Sequence, residues 1–193
     1  MLNHVGTQRI ETNCLILRQH KITDAEDIFN NYASDAEVSR FFNWEAHKNI
    51  DETIAFLENK IAKYVKPHKY HWLIELKSIS QAVGFVDLTD IDDTNDSVSV
   101  VYALSRKYWN QGIITEACRS VLDFAFTVLK AKTVSAYHHI DNSANGSVMK
   151  KCGMRYVKTE YKNVPDYEKI SGEHCYYEIY ADDWEKTGGA NVK

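Results

Sequence analysis

The amino-acid sequence predicts a mixed α/β domain, and three observations support this fold class. Residues 98–138 follow a strand–helix–strand pattern, which indicates a βαβ unit with a right-handed crossover and parallel strands. Residues 70–76 and 82–88 are strand-like segments joined by a short polar turn, which is typical of a hairpin. The chain has 193 residues, no repeats and only two prolines, so a single domain over residues 1–193 is expected.

The N-terminal third begins with a short strand and continues with two amphipathic helices. Residues 14–18 have the apolar pattern of the strand. Thr23 and Glu26 have the spacing of a capping box, which predicts the start of the first helix, and Asn49 and Glu52 repeat this spacing before the second. The predicted apolar faces comprise Ala25, Ile28, Phe29 and Tyr32 in the first helix and Ile54, Leu57, Ile61 and Tyr64 in the second.

The βαβ unit occupies the middle of the chain. Residues 98–104 are β-branched and apolar, which is typical of a buried strand. After Gly112, apolar residues recur at helical spacing as far as Leu129, so this helix is expected to pack along one face. Residues 132–138 then form the second strand of the unit. The helix face comprises Cys118, Val121, Leu122, Ala125, Val128 and Leu129.

The remaining segments are connections and the C-terminal elements. The acidic stretch of residues 90–97 is expected to be an exposed connection. Residues 142–152 predict a short helix, which Gly153 ends in a left-handed conformation. Residues 175–181 are predicted to be the last strand, and the tail, residues 187–193, has the composition of a frayed end.

Composition and charge exclude several classes of function. The net charge is -4, so no basic surface is expected to attract nucleic acid. No apolar run approaches the roughly 18 residues that span a membrane, and residues 1–6 lack the pattern of a signal peptide. We therefore expect a cytoplasmic protein that binds neither DNA nor a membrane. The cysteines include no C-x-x-C pair, which argues against a metal site or disulfides: Cys14, Cys118, Cys152 and Cys175.

The most informative segment is residues 108–117, where a strand ends, a tight turn contains one glycine and a helix begins. The first amides of a helix have no partner within the helix, and the helix dipole favours an anion there. Gly112 would allow a diphosphate to approach the backbone closely. The spacing alone leaves open a simpler interpretation, in which Gly112 only turns the chain and Thr115 caps the helix.

This segment, which reads YWNQGIITEA, resembles the acyl-CoA-binding motif of the GNAT superfamily of N-acetyltransferases, usually Gln/Arg-x-x-Gly-x-Gly/Ala. It is most similar to the subgroup that acetylates the N-termini of ribosomal proteins, in which the segment often reads YWGKGYATEA. Residues 10–18, 44–53 and 142–154 are similar to further segments of that subgroup, in the same order. The resemblance covers roughly residues 9–184, which we expect to be the core of the domain.

The resemblance implies a central, mostly antiparallel sheet with one parallel pair of strands that splay apart, flanked by helices. It also implies acetyl-CoA as the cosubstrate, without a metal. The amides of residues 111–115 would hold the CoA diphosphate, and residues 102–104 would pair with the pantetheine arm. The full set of implied cofactor-binding residues is Tyr102, Ala103, Leu104, Trp109, Asn110, Gln111, Gly112, Ile113, Ile114, Thr115, Asn142 and Asn145.

Three catalytic groups are implied by the same resemblance. The amide of Leu104 would donate to the thioester oxygen and stabilise the oxyanion of the tetrahedral intermediate. Tyr102 could protonate the leaving thiolate, with packing in the core as its alternative role, and Asn145 stands where the family has a serine that is a candidate proton donor. The chain departs from the family at Ser99, which replaces a glutamate that often serves as the base, and at Ile114, which replaces the second glycine or alanine of the motif.

The usual base therefore does not transfer to this chain. An alkylammonium with a pKa of about 10 must lose a proton before it can attack a thioester. By position, the candidate bases are Asp87, Glu75, His138 and His139, each of which could instead be solvated or satisfied in the core. Adjacent residues in a strand point to opposite faces, so His138 and His139 form a poor metal-binding pair.

Four residues are expected to frame the acceptor site, by analogy with relatives: Phe41, Phe42, Trp44 and His47. Core packing is the alternative role for these side chains. The implied function is transfer of an acetyl group to a primary amine, first of all at a protein N-terminus. A small amine such as a polyamine or an aminoglycoside, and a non-catalytic acyl-CoA-binding module, remain open alternatives. The protein is expected to be a monomer or a homodimer.

Overall fold

The computed structural model describes residues 1–186, in which eight strands form one sheet with helices on both faces. The strands are β1 (Ile10–Glu11), β2 (Leu15–Arg18), β3 (Tyr70–Leu76), β4 (Gln81–Asp92), β5 (Ser97–Leu104), β6 (Thr133–His139), β7 (Arg155–Lys162) and β8 (Gly172–Tyr180). The helices are α1 (Ala25–Ile28), α2 (Ala36–Ser39), α3 (Ile50–Ala62), α4 (Ile113–Thr127), α5 (Ser143–Lys151) and α6 (Ala181–Lys186). The strand order is β1-β2-β3-β4-β5-β6-β8-β7.

Strands β5 and β6 are the parallel pair that the βαβ pattern predicts. Their pairing runs from Ser97 opposite Thr133 to Ser99 opposite Ser135 and continues no further, although both strands extend beyond it. The other pairs of neighbouring strands in residues 1–186 are antiparallel. The mostly antiparallel sheet with one splayed parallel pair is therefore confirmed, and the splay opens a gap between β5 and β6.

Each face of the sheet has its own apolar core, because successive residues of a strand point to opposite faces. On one face, the Trp72 ring lies 5.1 Å from that of Phe124 in α4. On the other face, Leu73 belongs to a second cluster, to which α1 contributes Ile28 and α3 contributes Leu57. Helix α4 thus covers one side of the gap between β5 and β6, and the α1–α3 layer covers the opposite side of the sheet.

The first helix begins differently from the prediction, and the proposed Thr23–Glu26 capping box is wrong. The carboxylate of Asp24 accepts a hydrogen bond from the amide of Lys21 at 2.7 Å, so a 3-10 turn precedes α1. Asp24 also binds Arg18, and this second partner fixes the position of its side chain. The backbone then widens into a π-helical turn over Phe29–Ala33. In contrast, Asn49 caps α3 as predicted, since its side chain accepts from the amide of Glu52 at 3.1 Å.

Two expectations for the strands are also corrected. Strand β4 continues to Asp92, and Asp96, expected in an exposed connection, is 5% exposed and pairs with Lys132 at 2.8 Å. Strand β7 was not predicted, because this edge strand is exposed along almost its whole length and has no apolar alternation. The final strand starts at Gly172, and Gly153 ends α5 with φ 84° as predicted. The predicted frayed tail, residues 187–193, lies outside the described residues.

Within residues 1–186, no helix is both long and apolar enough to cross a membrane.

Candidate active site

The turn before α4 is open and has the backbone geometry of an anion-binding site. Asn110 and Gly112 both have left-handed φ angles, 61° and 81°. The first helical amides, from Ile113 to Thr115, precede the first amide with a partner within the helix, since Glu116 N donates to Gly112 O at 3.0 Å. A Cβ atom added at Gly112 would meet nothing within 4 Å, so the backbone is accessible to a ligand. An anion can therefore approach these donors closely.

Side chains tie this turn to the end of β5. The indole nitrogen of Trp109 donates to the carbonyl oxygen of Leu104 at 2.8 Å. The side-chain amide of Gln111 donates to the carbonyl oxygen of Lys107 at 3.0 Å. The position of the helix start is thus fixed relative to the strand that borders the gap.

The backbone of β5 presents polar groups to the gap, of which the Leu104 carbonyl already accepts from the Trp109 indole. Ser105 N donates to Val83 O at 2.8 Å, so residue 105 faces β4. Because backbone polar groups alternate in direction along an antiparallel pair, those of Leu104 and Tyr102 face the gap. Gly84 brings β4 unusually close to this end of β5, since a Cβ atom there would lie 2.3 Å from the carbonyl oxygen of Ala103. Gly84 is a structural requirement of the site that the sequence pattern did not reveal.

Helix α5 borders the gap on the β6 side. Asn142 is the N-cap residue of α5, but its side chain makes no capping hydrogen bond in the part of the chain described, and it lines the cleft. The hydroxyl of Tyr102 donates to the main-chain carbonyl of Asn145 at 3.3 Å. At Gly146 a Cβ atom would lie 2.7 Å from Nε2 of His138, so the glycine allows α5 to pack closely on β6.

These elements enclose a cleft with a volume of about 400 Å³. Of the predicted cofactor-binding set, all of which lies in residues 1–186, Gln111 alone does not line it. The residues of that set that line it are Tyr102, Ala103, Leu104, Trp109, Asn110, Gly112, Ile113, Ile114, Thr115, Asn142 and Asn145.

A second, smaller cavity of about 200 Å³ lies on the α1–α3 side of the sheet. Phe42 forms a wall of both spaces. Val101 lines the smaller cavity and Ala103, two residues along β5 and on the same face, lines the cleft. Of the residues predicted for the acceptor, Phe42, Trp44 and His47 line the cavity, whereas Phe41 lines the cleft.

A buried ion pair lies in the wall of this cavity. Lys60 of α3 donates to Oδ2 of Asp87 in β4 at 2.9 Å, and Nδ1 of His71 lies 2.9 Å from the same oxygen. Burial raises the pKa of Asp87, but the charge of Lys60 and the hydrogen bond with His71 outweigh it, so the net pKa lies below the ordinary value. Asp87 is therefore ionised at neutral pH. No local pattern in the sequence marks Lys60 as a site residue.

The other candidate bases have structural partners away from the smaller cavity. Glu75 accepts from Arg18 at 2.6 Å. His138 stacks on Tyr177, with ring centroids 5.6 Å apart, and His139 stacks on Phe41 at 5.6 Å. Of the four candidates, Asp87 is the one that lines the cavity.

Ser99, where the family resemblance predicts a glutamate, has a structural partner. Its hydroxyl lies 2.8 Å from that of Ser135, at the last paired position of the two parallel strands. Tyr102, further along β5, is buried, and this burial raises its pKa well above 10, so its hydroxyl is protonated at neutral pH.

Comparison with known proteins identifies relatives of this chain. Residues 15–155 match the profile of the acetyltransferase (GNAT) domain family. The chain is 26% identical over 146 residues to YoaA of Bacillus subtilis (strain 168), described as an uncharacterized N-acetyltransferase, and the match covers 76% of this chain and 82% of that protein.

Solved structures share the fold. The ribosomal-protein-S5-alanine acetyltransferase of Vibrio fischeri superposes with a TM-score of 0.77 at 17% identity, over 92% of this chain and 98% of that one. The microcin C7 self-immunity acetyltransferase MccE, in complex with acetyl-CoA and AMP, superposes with a TM-score of 0.74 at 17% identity, over 88% of this chain and 93% of that one.

Proposed function

The chain belongs to the GNAT family of acetyltransferases, whose acyl donor is acetyl-CoA, and we propose that its acceptor is the amine at a protein N-terminus. The observation that carries the proposal is the junction of the two spaces. Phe42 is their common wall, and Val101 and Ala103 follow one another on the same face of β5. An acceptor in the smaller cavity would therefore lie beside an acyl chain placed along β5.

The described residues fit acetyl-CoA as the donor. The turn at Gly112 offers helix-start amides to a diphosphate, and the splayed strands leave a gap for an extended arm. The backbone groups of Tyr102 and Leu104 that face this gap would bind the arm, with Asn142 beside them. When bound, acetyl-CoA supplies the activated acetyl group, and the protein positions it.

The proposed chemistry is direct transfer. A bond forms between the amine nitrogen and the acetyl carbon, the carbon–sulfur bond breaks, and the sulfur leaves with the bonding electrons. The amide of Leu104 would stabilise the negative charge on the carbonyl oxygen. Tyr102 would donate its proton to the sulfur and regain one from water, which also takes the proton lost by the amine. Asn145 would act as a positioning residue, because its carbonyl accepts from the Tyr102 hydroxyl.

The size of the smaller cavity supports a protein N-terminus as acceptor. Its volume of about 200 Å³ suits the side chain and amine of the first residue of a peptide. The V. fischeri protein with the same fold is named as an acetyltransferase of ribosomal protein S5, which favours the same acceptor class.

An acceptor panel tests this proposal. Release of free thiol from acetyl-CoA would be measured with short lysine-free peptides, the same peptides with blocked N-termini, spermidine and an aminoglycoside. We expect release with the free peptides only, and a mass increase of one acetyl group at the first residue. Turnover of spermidine without turnover of peptides would show that the acceptor is a small amine and not a protein N-terminus. Thermal stabilisation by acetyl-CoA without thiol release from any acceptor would indicate a binding module.

A further inference from the structure

The Lys60–Asp87 pair has unused hydrogen-bonding capacity beside the smaller cavity. The two residues are 7% and 6% exposed, and both line the cavity. Both polar contacts of Asp87 use Oδ2, whereas its other oxygen, Oδ1, has no hydrogen-bond partner among residues 1–186. A buried carboxylate oxygen without a partner lowers stability. The hydroxyl of Tyr32, which also lines the cavity, has no partner among these residues either, so the cavity wall holds two unsatisfied polar atoms that a ligand can satisfy.

Lys60 has free donors next to this free acceptor. Its ammonium group carries three N–H donors and makes a single hydrogen bond within the described residues, to Asp87. It also lies over the ring of Phe85, 4.6 Å from the centroid, and 5.4 Å from that of Phe56. The aromatic rings thus hold the ammonium in place beside the carboxylate. A ligand here meets one acceptor, Oδ1 of Asp87, and at least one N–H donor of Lys60. The two lie close together, because Lys60 is bound to the other oxygen of the same carboxylate.

The end of a peptide carries the complementary pair of groups. Its α-amine is a donor, and the carbonyl of the first residue, one carbon away, is an acceptor. We propose that the Lys60–Asp87 pair recognises this aminoacyl unit: Oδ1 of Asp87 accepts from the α-amine, and Nζ of Lys60 donates to the first carbonyl oxygen. This inference rests on the proposed function and names the residues that select its acceptor class. A polyamine or a simple alkylamine lacks the carbonyl.

The charges at the pair favour the reactive form of the amine. Lys60 neutralises Asp87, so the pair offers no net charge to an ammonium ion. The neighbouring His20 is neutral, because burial lowers its pKa well below 6.5. His71 also contacts Oδ2 of Asp87. Tyr32 and Tyr64 interact with the charge of Asp87; burial raises the pKa of both tyrosines, so their hydroxyls are protonated at neutral pH. A desolvated ion pair without net charge favours a neutral amine, which can attack a thioester, over its ammonium form.

The location of the pair is suited to the transfer. Asp87 is directly opposite Val101 on β5, and Phe85 is opposite Ala103. These positions form one face of the sheet, at the level where the cavity meets the cleft. An amine bound at Oδ1 therefore lies next to the stretch of β5 along which the proposed acyl chain is placed.

Two acceptors that differ at the carbonyl test this inference: alaninamide and 3-methyl-2-aminobutane, in which an isopropyl group replaces the carboxamide. The ratio of their kcat/KM values would be measured for the wild type, Lys60→Met and the control Lys63→Met, an exposed lysine just beyond α3. Comparing the ratio between protein variants cancels the difference in intrinsic reactivity between the two amines. Within one protein, each kcat/KM is expressed per neutral amine, because the two amines differ in pKa.

We expect Lys60→Met to lower this ratio at least tenfold, through a higher KM for alaninamide, with an unchanged Kd for CoA. Lys63→Met should leave the ratio unchanged. Asp87→Asn should lower kcat/KM for both acceptors by a similar factor, because both contain the amine that Asp87 is proposed to bind. If Lys60→Met does not fold, the wild type alone tests the inference. Its kcat/KM per neutral amine should be at least tenfold higher for alaninamide than for 3-methyl-2-aminobutane.

Two results would overturn the inference, and they are distinguishable from failure of the proposed function. If peptides are acetylated but Lys60→Met keeps the wild-type ratio, the pair has only a structural role. If the wild type uses both amines equally per neutral amine, the carbonyl is not recognised. If neither peptides nor alaninamide are acetylated while spermidine is, the proposed function itself is wrong and the inference falls with it.

Discussion

The hydroxyl oxygens of Ser99 and Ser135 lie 2.8 Å apart at the last paired position of β5 and β6. Beyond this contact the two parallel strands separate, and the gap between them is lined by the backbone of Tyr102 and Leu104. The resemblance to the family predicts a glutamate at the position of Ser99. In this protein Ser99 joins β5 to β6 at the point where the two strands begin to separate. The carboxylate that lines the proposed acceptor cavity belongs to Asp87 on the neighbouring strand β4.

Ser99→Ala should lower stability without abolishing turnover. Loss of one part-buried hydrogen bond costs about 1 kcal/mol, while Ser99 takes no part in the proposed proton transfers. Ser99→Glu should be more destabilising, because it buries a carboxylate beside Ser135 without a cationic partner. Urea denaturation and steady-state kinetics of both variants check this. A thousandfold loss of kcat in a fully folded Ser99→Ala protein would give Ser99 a catalytic role.

Gly112→Ala should weaken the binding of CoA at least tenfold. The substitution introduces a side chain at φ 81°, which costs about 1–2 kcal/mol, and places a methyl group where the diphosphate would approach. Gly6→Ala is the matched control, since Gly6 also has a positive φ, 69°, and a Cβ there meets only ordinary contacts at 3.9 Å. Calorimetric titration should show wild-type affinity for Gly6→Ala. Equal affinities in the two variants would contradict the role given to this turn.

Gly84→Ala should damage both stability and donor binding. Its Cβ would lie 2.3 Å from the carbonyl oxygen of Ala103, so β4 and β5 must move apart. Overpacking of this kind costs about 1–3 kcal/mol, and the movement displaces the residues proposed to bind the pantetheine arm. We expect a lower melting temperature and a higher KM for acetyl-CoA. A variant with wild-type values of both would show that the close approach is unimportant.

Stability should fall as the pH decreases below about 6.5, and His20 should contribute to the fall. Burial lowers its pKa in the folded protein, whereas an unfolded histidine titrates near 6.5. Between these two pKa values the unfolded state binds the extra proton, so stability rises with pH in this window and is fully present above it. The contribution of His20 to the slope of unfolding free energy against pH is at most about 1.4 kcal/mol per pH unit.

His20→Asn removes this titration and can still reach the hydroxyl of Tyr64, which lies 2.7 Å from Nδ1 of His20. The free energy of unfolding, measured at several pH values from 7 to 5, should therefore depend less steeply on pH in the variant. Parallel curves for the two proteins would mean that His20 is protonated in the folded state.

The sequence predicted the parts of the fold that depend on local patterns. The parallel β5–β6 pair and α4 follow from apolar periodicity, and Asn49 and Gly153 end their helices through local capping. The start of α1 was predicted incorrectly because Asp24 competes with Glu26 as the capping carboxylate and gains Arg18 as a tertiary partner. Such a partner is invisible in local spacing.

The candidate site likewise has parts that the local sequence indicates and parts that depend on contacts between distant segments. The turn at Gly112 could be found because its donors are consecutive in the chain. The Lys60–Asp87 pair joins residues of α3 and β4; the sequence marks Asp87 only as one of four candidate bases and does not mark Lys60. The role of Gly84 depends on a contact with a neighbouring strand, which no property of its own segment indicates.

The central claim is that the amides at the start of α4 hold a diphosphate while an arm lies along β5. Titration of the 15N-labelled protein with CoA tests it most directly. We expect saturable shifts of the amide signals of Ile113, Ile114 and Thr115, together with those of Tyr102 and Leu104, at the Kd found by calorimetry. If these signals stay in place while CoA binds, the ligand occupies another site and the account is wrong.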